Sequence, residues 1–137
     1  MFPRALEIAI QAHKNQTRKV TGEKWPEPYI EHSKRVASYF KDDIRKTVSI
    51  LHDVIEDAPV FEKVIKKEFS KTIYEAIIIL TRQENENYFN FIMRVKNSDS
   101  LAISIKIADL QDNMSDLQEG SKKDKYRFAL YILANVL

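Results

Sequence analysis

The chain has 137 residues, of which 44% are hydrophobic, and this is enough to build one domain around a single core. Its formal net charge of +2 is too small to indicate nucleic acid as a partner, and no apolar run approaches the length of a membrane span. The absence of cysteine excludes disulfide bonds and thiolate metal sites, so we expect a cytoplasmic protein. Polar residues at positions 7, 11 and 13 argue against an N-terminal signal peptide.

Helices are predicted along most of the chain, because apolar residues recur at helical spacing and no segment alternates with period two. The predicted helices cover residues 3–14, 29–40, 48–57, 60–69, 71–80, 88–95, 101–117 and 122–137. Asp42, Ser70 and either Ser98 or Asp99 have the residue type and position of helix N-caps. We predict an all-α, single-domain helical bundle over residues 1–137, with about seven to eight helices.

The only two glycines, Gly22 and Gly120, are far apart, so the chain contains neither a P-loop nor a dinucleotide-binding fingerprint. A protein of this composition that binds phosphates must use side-chain cations, a metal ion or helix N-termini. A loop over residues 15–28 begins with the cations Arg18 and Lys19 and is long enough to suggest a function, although a solvated surface explains the two charges equally well. The polar stretch over residues 81–87 is a further loop and contains Arg82.

The helix predicted over residues 48–57 has an unusual polar face. With His52 placed at zero and about 100° per residue, Glu56, Asp53 and Asp57 fall at about 40°, 100° and 140°, and the aliphatic residues occupy the opposite arc. Carboxylates packed this closely raise each other's pKa unless a cation lies among them, and a divalent metal removes the repulsion. The alternative is an acidic surface stripe that contains a histidine by chance.

Two further candidate ligands, His32 and Asp109, lie in partly apolar helical segments far from the His52–Asp53 pair. Two His and two Asp form a mixed nitrogen and oxygen site that suits Mn²⁺, Fe²⁺, Zn²⁺ or Mg²⁺. His13 lies on the apolar side of the first predicted helix, where a core histidine with one hydrogen-bond partner is the expected reading.

Such a site can lower the pKa of bound water and bind a phosphoryl oxygen. Glu56 is then placed to position or deprotonate the water, with Asp57 assisting it. Arg18, Lys19 and Lys106 supply the positive charge that a phosphorylated substrate requires.

One helical row over residues 102–113 suggests a lined pocket. Ala102, Lys106, Asp109 and Asn113 lie within about 60° of one another on the predicted helix. A polar surface face is less consistent with this row, because Asp109 falls inside an apolar-rich run.

Four segments carry a resemblance to a known family. They are A-H-K-N-Q-T-R-K (12–19), P-Y-I-E-H (28–32), L-H-D-V-I-E-D (51–57) and K-I-A-D-L-Q-D-N-M (106–114). In this order they resemble the successive motifs of HD-superfamily phosphohydrolases, and above all the hydrolase domain of RelA/SpoT-type alarmone enzymes, including the small stand-alone ones. The resemblance covers most of the chain.

The resemblance implies a role for each matching residue. In that family the matching His, His-Asp and Asp bind Mn²⁺, and the Glu-Asp of the third motif is catalytic. The Arg-Lys pair contacts the guanine base or its phosphates, and the Asn of the last motif lines the nucleotide site. The residues concerned here are His32, His52, Asp53 and Asp109 for the metal, Glu56 and Asp57 for catalysis, and Arg18, Lys19 and Asn113 for the substrate.

Two departures from the family pattern concern the substrate pocket. Residues 23–27 lengthen the loop after Arg18 and Lys19, and the chain is shorter than the usual stand-alone alarmone hydrolases. Neither departure touches the metal ligands.

The leading hypothesis is a Mn²⁺-dependent 3′-pyrophosphohydrolase of guanosine 3′,5′-bis(diphosphate), with another divalent metal as an alternative. A second reading keeps the chemistry but changes the substrate to another nucleotide, such as a dinucleotide phosphate or a nucleoside monophosphate. A third reading is a non-catalytic nucleotide-sensing module, which the presence of Glu56 argues against. The partner is a small phosphorylated nucleotide, rather than nucleic acid or a membrane, and the sequence predicts no oligomeric state.

Overall fold

Helices form most of the chain, as the apolar periodicity predicts. The computed structural model describes residues 1–135, and the all-α class is confirmed. The helices are α1 (Phe2–Ala12), α2 (Tyr29–Ser38), α3 (Asp43–Leu51), α4 (Val54–Asp57), α5 (Glu62–Glu68), α6 (Lys71–Leu80), α7 (Tyr88–Lys96), α8 (Ser100–Met114) and α9 (Ser121–Ala134). A 3₁₀ turn over Pro59–Phe61 joins α4 to α5. The last helix was predicted to reach residue 137 but ends at Ala134, and Asn135 is already extended. Residues 136–137 lie outside the described part of the chain.

Three of the helices begin at predicted N-caps. The Asp42 side chain accepts a hydrogen bond from the Arg45 backbone N–H (2.9 Å), and the Ser70 hydroxyl accepts one from the backbone N–H of residue 73 (3.3 Å). Asp99, rather than Ser98, caps α8 by accepting a hydrogen bond from the backbone N–H of residue 102 (2.9 Å). Each cap satisfies a backbone N–H that has no partner within its own helix.

The continuous helix predicted over residues 48–57 is wrong. Helix α3 ends at Leu51, His52 and Asp53 form a turn, and α4 begins at Val54. At the break, the His52 N–H bonds to the carbonyl three residues back, at Ser49 (3.4 Å), instead of four. The side chains of the turn form tertiary hydrogen bonds instead, His52 with Asp109 (3.2 Å) and Asp53 with Tyr29 (2.6 Å). These bonds compensate for the helical hydrogen bond that is lost.

The loop over residues 15–28 contains two strands that the sequence did not predict. Strand β1 (Thr17–Arg18) pairs antiparallel with β2 (Glu27–Pro28), and two residues are too few to produce an alternating pattern. The connection turns at Gly22, whose φ of 86° favours glycine. The Thr21 backbone N–H donates to Asp116 Oδ2 (3.0 Å) and thereby ties the loop to the end of α8.

The core consists of two hydrophobic clusters that meet along α8. The larger one contains buried side chains of α1, α3 and α6, and it includes Ala102, Ile105 and Ala108 of α8. The smaller one joins α7 and α9 to Leu110 of α8. The polar residues of α8 that lie between these apolar positions are therefore partly or almost completely buried. None of the helices within residues 1–135 has both the length and the hydropathy needed to cross a bilayer.

Candidate metal centre and substrate cleft

The four predicted metal ligands come together where α2, the turn after α3, and α8 meet. One potential ligand atom from each of His32, His52, Asp53 and Asp109 lies within 4.8 Å of the others. His32 Nε2 is 2.9 Å and His52 Nε2 is 3.2 Å from Asp109 Oδ1, and His52 Nε2 is 2.9 Å from Asp53 Oδ2. Both imidazoles are almost completely buried. The turn at His52–Asp53 allows these two adjacent side chains to face the same centre, because neighbouring side chains on a regular helix diverge by about 100°.

Both imidazoles are oriented so that Nε2 faces the centre. The His52 Nδ1–H donates to the Ser49 carbonyl oxygen at 2.5 Å, and the His32 Nδ1–H donates to Asp112 Oδ2 at 2.6 Å. A hydrogen bond at Nδ1 fixes the orientation of each ring, so that Nε2 would be the ligand atom when a metal is bound. The two histidines therefore meet the geometric requirement for metal ligands.

Asp112 contacts the candidate centre and was not predicted from the sequence. It lies three residues after Asp109 on α8, is buried, and accepts hydrogen bonds from His32 and from Arg35 (Nε to Oδ1, 2.7 Å). Arg35 also donates to Glu27 at 2.6 and 2.9 Å. The i, i+3 spacing from Asp109 is the signal that could have identified Asp112, since both side chains then share one side of the helix.

Asp112→Asn is expected to weaken divalent-metal binding about 10- to 100-fold, because the amide is a weaker acceptor for the His32 Nδ1–H. The dissociation constant of Mn²⁺, measured by calorimetric titration, checks this. Asp124→Asn, which changes an exposed carboxylate on α9, is the matched control and should bind metal as wild type does. Equal affinity in the two variants would show that Asp112 does not support the centre.

The centre keeps its carboxylates ionised although it is buried. Burial alone would raise the pKa of Asp109, but the Lys106 ammonium and His52 hold it well below its ordinary value. Lys106 Nζ is 2.7 Å from Asp109 Oδ2. Burial likewise opposes ionisation of Asp53, and the charge and hydrogen bond of His52 lower the pKa of this carboxyl. Two imidazole nitrogens and two carboxylates suit a divalent cation such as Mn²⁺, Fe²⁺ or Zn²⁺ in donor type and charge.

Tyr29 supports the centre from α2 and was also missed. Its hydroxyl donates to Asp53 Oδ2 at 2.6 Å, and its ring contacts those of His13 and His32 at centroid distances of 4.8 and 5.5 Å. His13 is buried and its Nδ1 is 2.7 Å from Gln16 Oε1, which agrees with the expectation of a core histidine with one partner. Sequence reasoning could not assign the contacts of Tyr29 with Asp53 and His13, because these residues lie in different elements of the fold.

Glu56 and Asp57 lie on α4 beside the centre, at its exposed side. Partial burial and the neighbouring carboxylates of Asp53 and Asp57 raise the pKa of Glu56. Burial also raises the pKa of Asp57, against the effect of a hydrogen bond from Gln16 Nε2 to its Oδ2 (3.1 Å). Both groups are therefore stronger bases than ordinary surface carboxylates.

Of the substrate residues predicted beside Lys106, Arg18 and Asn113 are linked to the centre by hydrogen bonds, whereas Lys19 is not. Arg18 lies against the end of α8, where its Nη2 donates to Asn113 Oδ1 at 3.3 Å and its Nη1 to Glu27 Oε1 at 2.8 Å. Asn113 in turn donates to Asp109 Oδ1 at 3.3 Å, so these side chains form a continuous path to the centre. Lys19 is exposed, and the structure gives it no ion pair within residues 1–135.

Comparison with known proteins agrees with this geometry, although no family model matches the chain. Guanosine-3′,5′-bis(diphosphate) 3′-pyrophosphohydrolase of Haemophilus influenzae is 35% identical over 125 residues, or 80% of this chain. The protein of that name from Borreliella burgdorferi is 33% identical over 140 residues, or 92% of this chain. The bifunctional (p)ppGpp synthase/hydrolase SpoT of Escherichia coli K12 is 32% identical over 125 residues, again 80% of this chain. The chain spans 18%, 20% and 17% of the length of these three relatives.

A solved structure shares the fold. It is that of a metazoan ortholog of SpoT, described as hydrolyzing ppGpp and playing a role in starvation responses. The TM-score is 0.76 at 22% identity, over 96% of this chain and 82% of the other. The helical fold and the convergent His, His-Asp and Asp side chains define a domain of the HD type. With the sequence relatives, they show that this chain has the sequence and fold of a RelA/SpoT-type hydrolase domain, as its four motifs predict.

Proposed function

We propose that the chain is a metal-dependent phosphohydrolase that removes pyrophosphate from the 3′ position of guanosine 3′,5′-bis(diphosphate). The convergence of His32, His52, Asp53 and Asp109 beside the Glu56 carboxylate is the observation that carries this proposal. The relatives named as hydrolases of this nucleotide support the choice of substrate.

His32, His52, Asp53 and Asp109 would hold the divalent cation. When bound, such a cation activates water and neutralises the charge of phosphoryl oxygens. Glu56 accepts the proton of the attacking water, which its raised pKa favours. Asp57, held by Gln16, assists Glu56 by orienting the same water.

The remaining residues bind the nucleotide. The Lys106 ammonium group donates a hydrogen bond to Asp109 and also binds the phosphoryl oxygens that approach the centre. Arg18 and Asn113 hold the guanosine end along α8, and Lys19 adds charge from the exposed side of the loop. Manganese as the native metal, the cytoplasm as the place of action, and the exclusion of nucleic acid and membranes as partners stay predictions from the sequence.

Replacing both Arg18 and Lys19 by Ala is expected to raise KM about tenfold or more while kcat changes little. The two cations bind the substrate equally in its ground state and its transition state, and cannot act as metal ligands. Steady-state kinetics with guanosine 3′,5′-bis(diphosphate) and Mn²⁺ provide the measurement. A fall in kcat at unchanged KM would instead place the pair in the chemical step.

Incubation of the purified protein with Mn²⁺ and a panel of phosphorylated nucleotides tests the function directly. The panel contains guanosine 3′,5′-bis(diphosphate), dinucleotide phosphates and nucleoside monophosphates, and chromatography separates the products. We expect GDP and pyrophosphate from the first compound. Turnover of another nucleotide alone would change the substrate, and binding without turnover of any compound would indicate a sensing module.

A further inference from the structure

A second group of cations surrounds Tyr88, at the start of α7. Lys125 of α9 places its Nζ 4.4 Å from the centroid of the Tyr88 ring. Arg82, from the loop before α7, places its Cζ 5.9 Å from the same centroid. We call Arg82, Tyr88 and Lys125 the Tyr88 cluster. None of its members belongs to the residues that the proposed function uses.

The positive charge of the Tyr88 cluster is not balanced by carboxylates. Within residues 1–135 neither Arg82 nor Lys125 forms an ion pair, and Arg82 donates instead to the Glu86 backbone carbonyl (2.8 Å). The Glu86 carboxylate is already engaged by Arg94, at 2.8 and 3.0 Å. Burial, together with the charges of Arg82, Lys122 and Lys106, lowers the pKa of Lys125. A bound anion would reduce the electrostatic repulsion between cations that lie this close together.

The hydroxyl of Tyr88 adds a directional donor to these charges. Its oxygen is buried and has no hydrogen-bond partner among the described residues. Buried hydroxyls are almost always hydrogen-bonded, and one that is not is a candidate ligand contact. A phosphate oxygen would accept this bond and meet the neighbouring cations at the same time.

The Tyr88 cluster adjoins the metal centre through Lys106. Lys106 Nζ lies 2.7 Å from Asp109 Oδ2 and 5.1 Å from the centroid of the Phe91 ring. The Phe91 and Tyr88 rings are in turn 6.4 Å apart between centroids. One molecule with two phosphorylated positions can therefore contact both places, with Lys106 between them.

We propose that Arg82, Lys125 and the Tyr88 hydroxyl form a second phosphate subsite, which binds the phosphate group of the nucleotide that is not cleaved. This inference rests on the proposed function and deepens it. For guanosine 3′,5′-bis(diphosphate) the group bound at the subsite is the 5′-diphosphate, while the 3′-diphosphate lies at the metal centre. The subsite thereby selects nucleotides that are phosphorylated at both ends of the ribose.

Two substrates that differ only at the 5′ position test the proposal. They are guanosine 3′,5′-bis(diphosphate) and guanosine 3′-diphosphate, which has a free 5′ hydroxyl. In Arg82→Ala/Lys125→Ala we expect KM for the first to rise about 10- to 100-fold, with kcat nearly unchanged, because two charge-assisted contacts are lost. KM for the second should equal that of wild type. Lys63→Ala/Lys71→Ala, on α5 and α6, is the control and should leave both values unchanged.

Calorimetric titration with GDP at a fixed Mn²⁺ concentration provides a readout that does not depend on turnover. Wild type should bind GDP more tightly than guanosine, the double variant should lose about tenfold or more of its affinity for GDP, and Tyr88→Phe should lose about 3- to 10-fold. Equal GDP affinity in wild type and the double variant, or no GDP binding by wild type, would overturn the subsite. So would a KM that rises equally for both substrates. If wild type cleaves neither substrate, the proposed function fails, and the GDP titration still decides the subsite.

Discussion

Asp53→Ala is expected to lose most of its bound metal and to lower kcat/KM about 10³-fold or more. Asp53 supplies one of the two carboxylates of the centre, and it is positioned by Tyr29 and by the turn that interrupts the helix. Without it, two imidazoles and one carboxylate remain, and a buried site with a missing ligand holds a divalent ion poorly. The loss of activity follows because a catalytic metal contributes several kcal/mol of transition-state stabilisation.

Metal content per chain, measured by elemental analysis after gel filtration, checks the first half of this prediction. His32→Ala should show the same loss, since it removes a ligand from a different helix. Asp43→Ala, at the exposed start of α3, is the control and should retain metal and activity. A full equivalent of tightly bound metal in both Asp53→Ala and His32→Ala would refute the ligand assignment.

The helices could be predicted because they depend on local patterns. Apolar residues at helical spacing define α1, α2, α6, α7 and α8, and short polar side chains at Asp42, Ser70 and Asp99 define where three helices begin. The break at His52–Asp53 is different. It removes a helical hydrogen bond in favour of contacts with Tyr29 and Asp109, which are distant in sequence, and no local pattern reports such contacts.

The residues of the candidate site likewise divide into those that a local pattern predicts and those that depend on contacts distant in sequence. Its four predicted ligands could be found because histidine and aspartate in apolar segments are unusual, and the motif resemblance supported the choice. Their supporting residues Tyr29 and Arg35 have no distinctive spacing and could not be found in this way, and only the i, i+3 spacing to Asp109 points to Asp112. The roles of all three depend on which side chains the fold places beside them.

The loop over residues 23–27 has a structural consequence that the sequence did not reveal. Its last residue, Glu27, accepts hydrogen bonds from both Arg18 and Arg35, and Arg35 in turn holds Asp112. The hydrogen bonds from Arg35, followed by that from Arg18, lower the pKa of Glu27 and keep it ionised. The loop therefore links the predicted substrate residue Arg18 to the support of the metal centre.

Glu56→Gln is expected to lower kcat about 10²- to 10⁴-fold, the usual contribution of general acid–base catalysis. The amide keeps the size of the side chain but cannot accept a proton. Glu56 lies on the exposed side of α4, next to the charges of Asp53, Asp57 and Lys106, and the four convergent ligand atoms come from other residues. Metal content and the thermal midpoint of unfolding should therefore stay close to the wild-type values.

Three measurements separate a base from a merely electrostatic neighbour. They are kcat at saturating substrate, bound metal per chain and the midpoint of unfolding, each compared with Glu75→Gln, an exposed residue on α6. A variant that loses both metal and activity would make Glu56 a support of the centre, because a base can be removed without releasing the ion. A Gln variant that cleaves its substrate at nearly the wild-type rate would exclude Glu56 as the base. Asp57, whose pKa is also raised by burial and whose carboxylate is held by Gln16, would then be the next residue to replace.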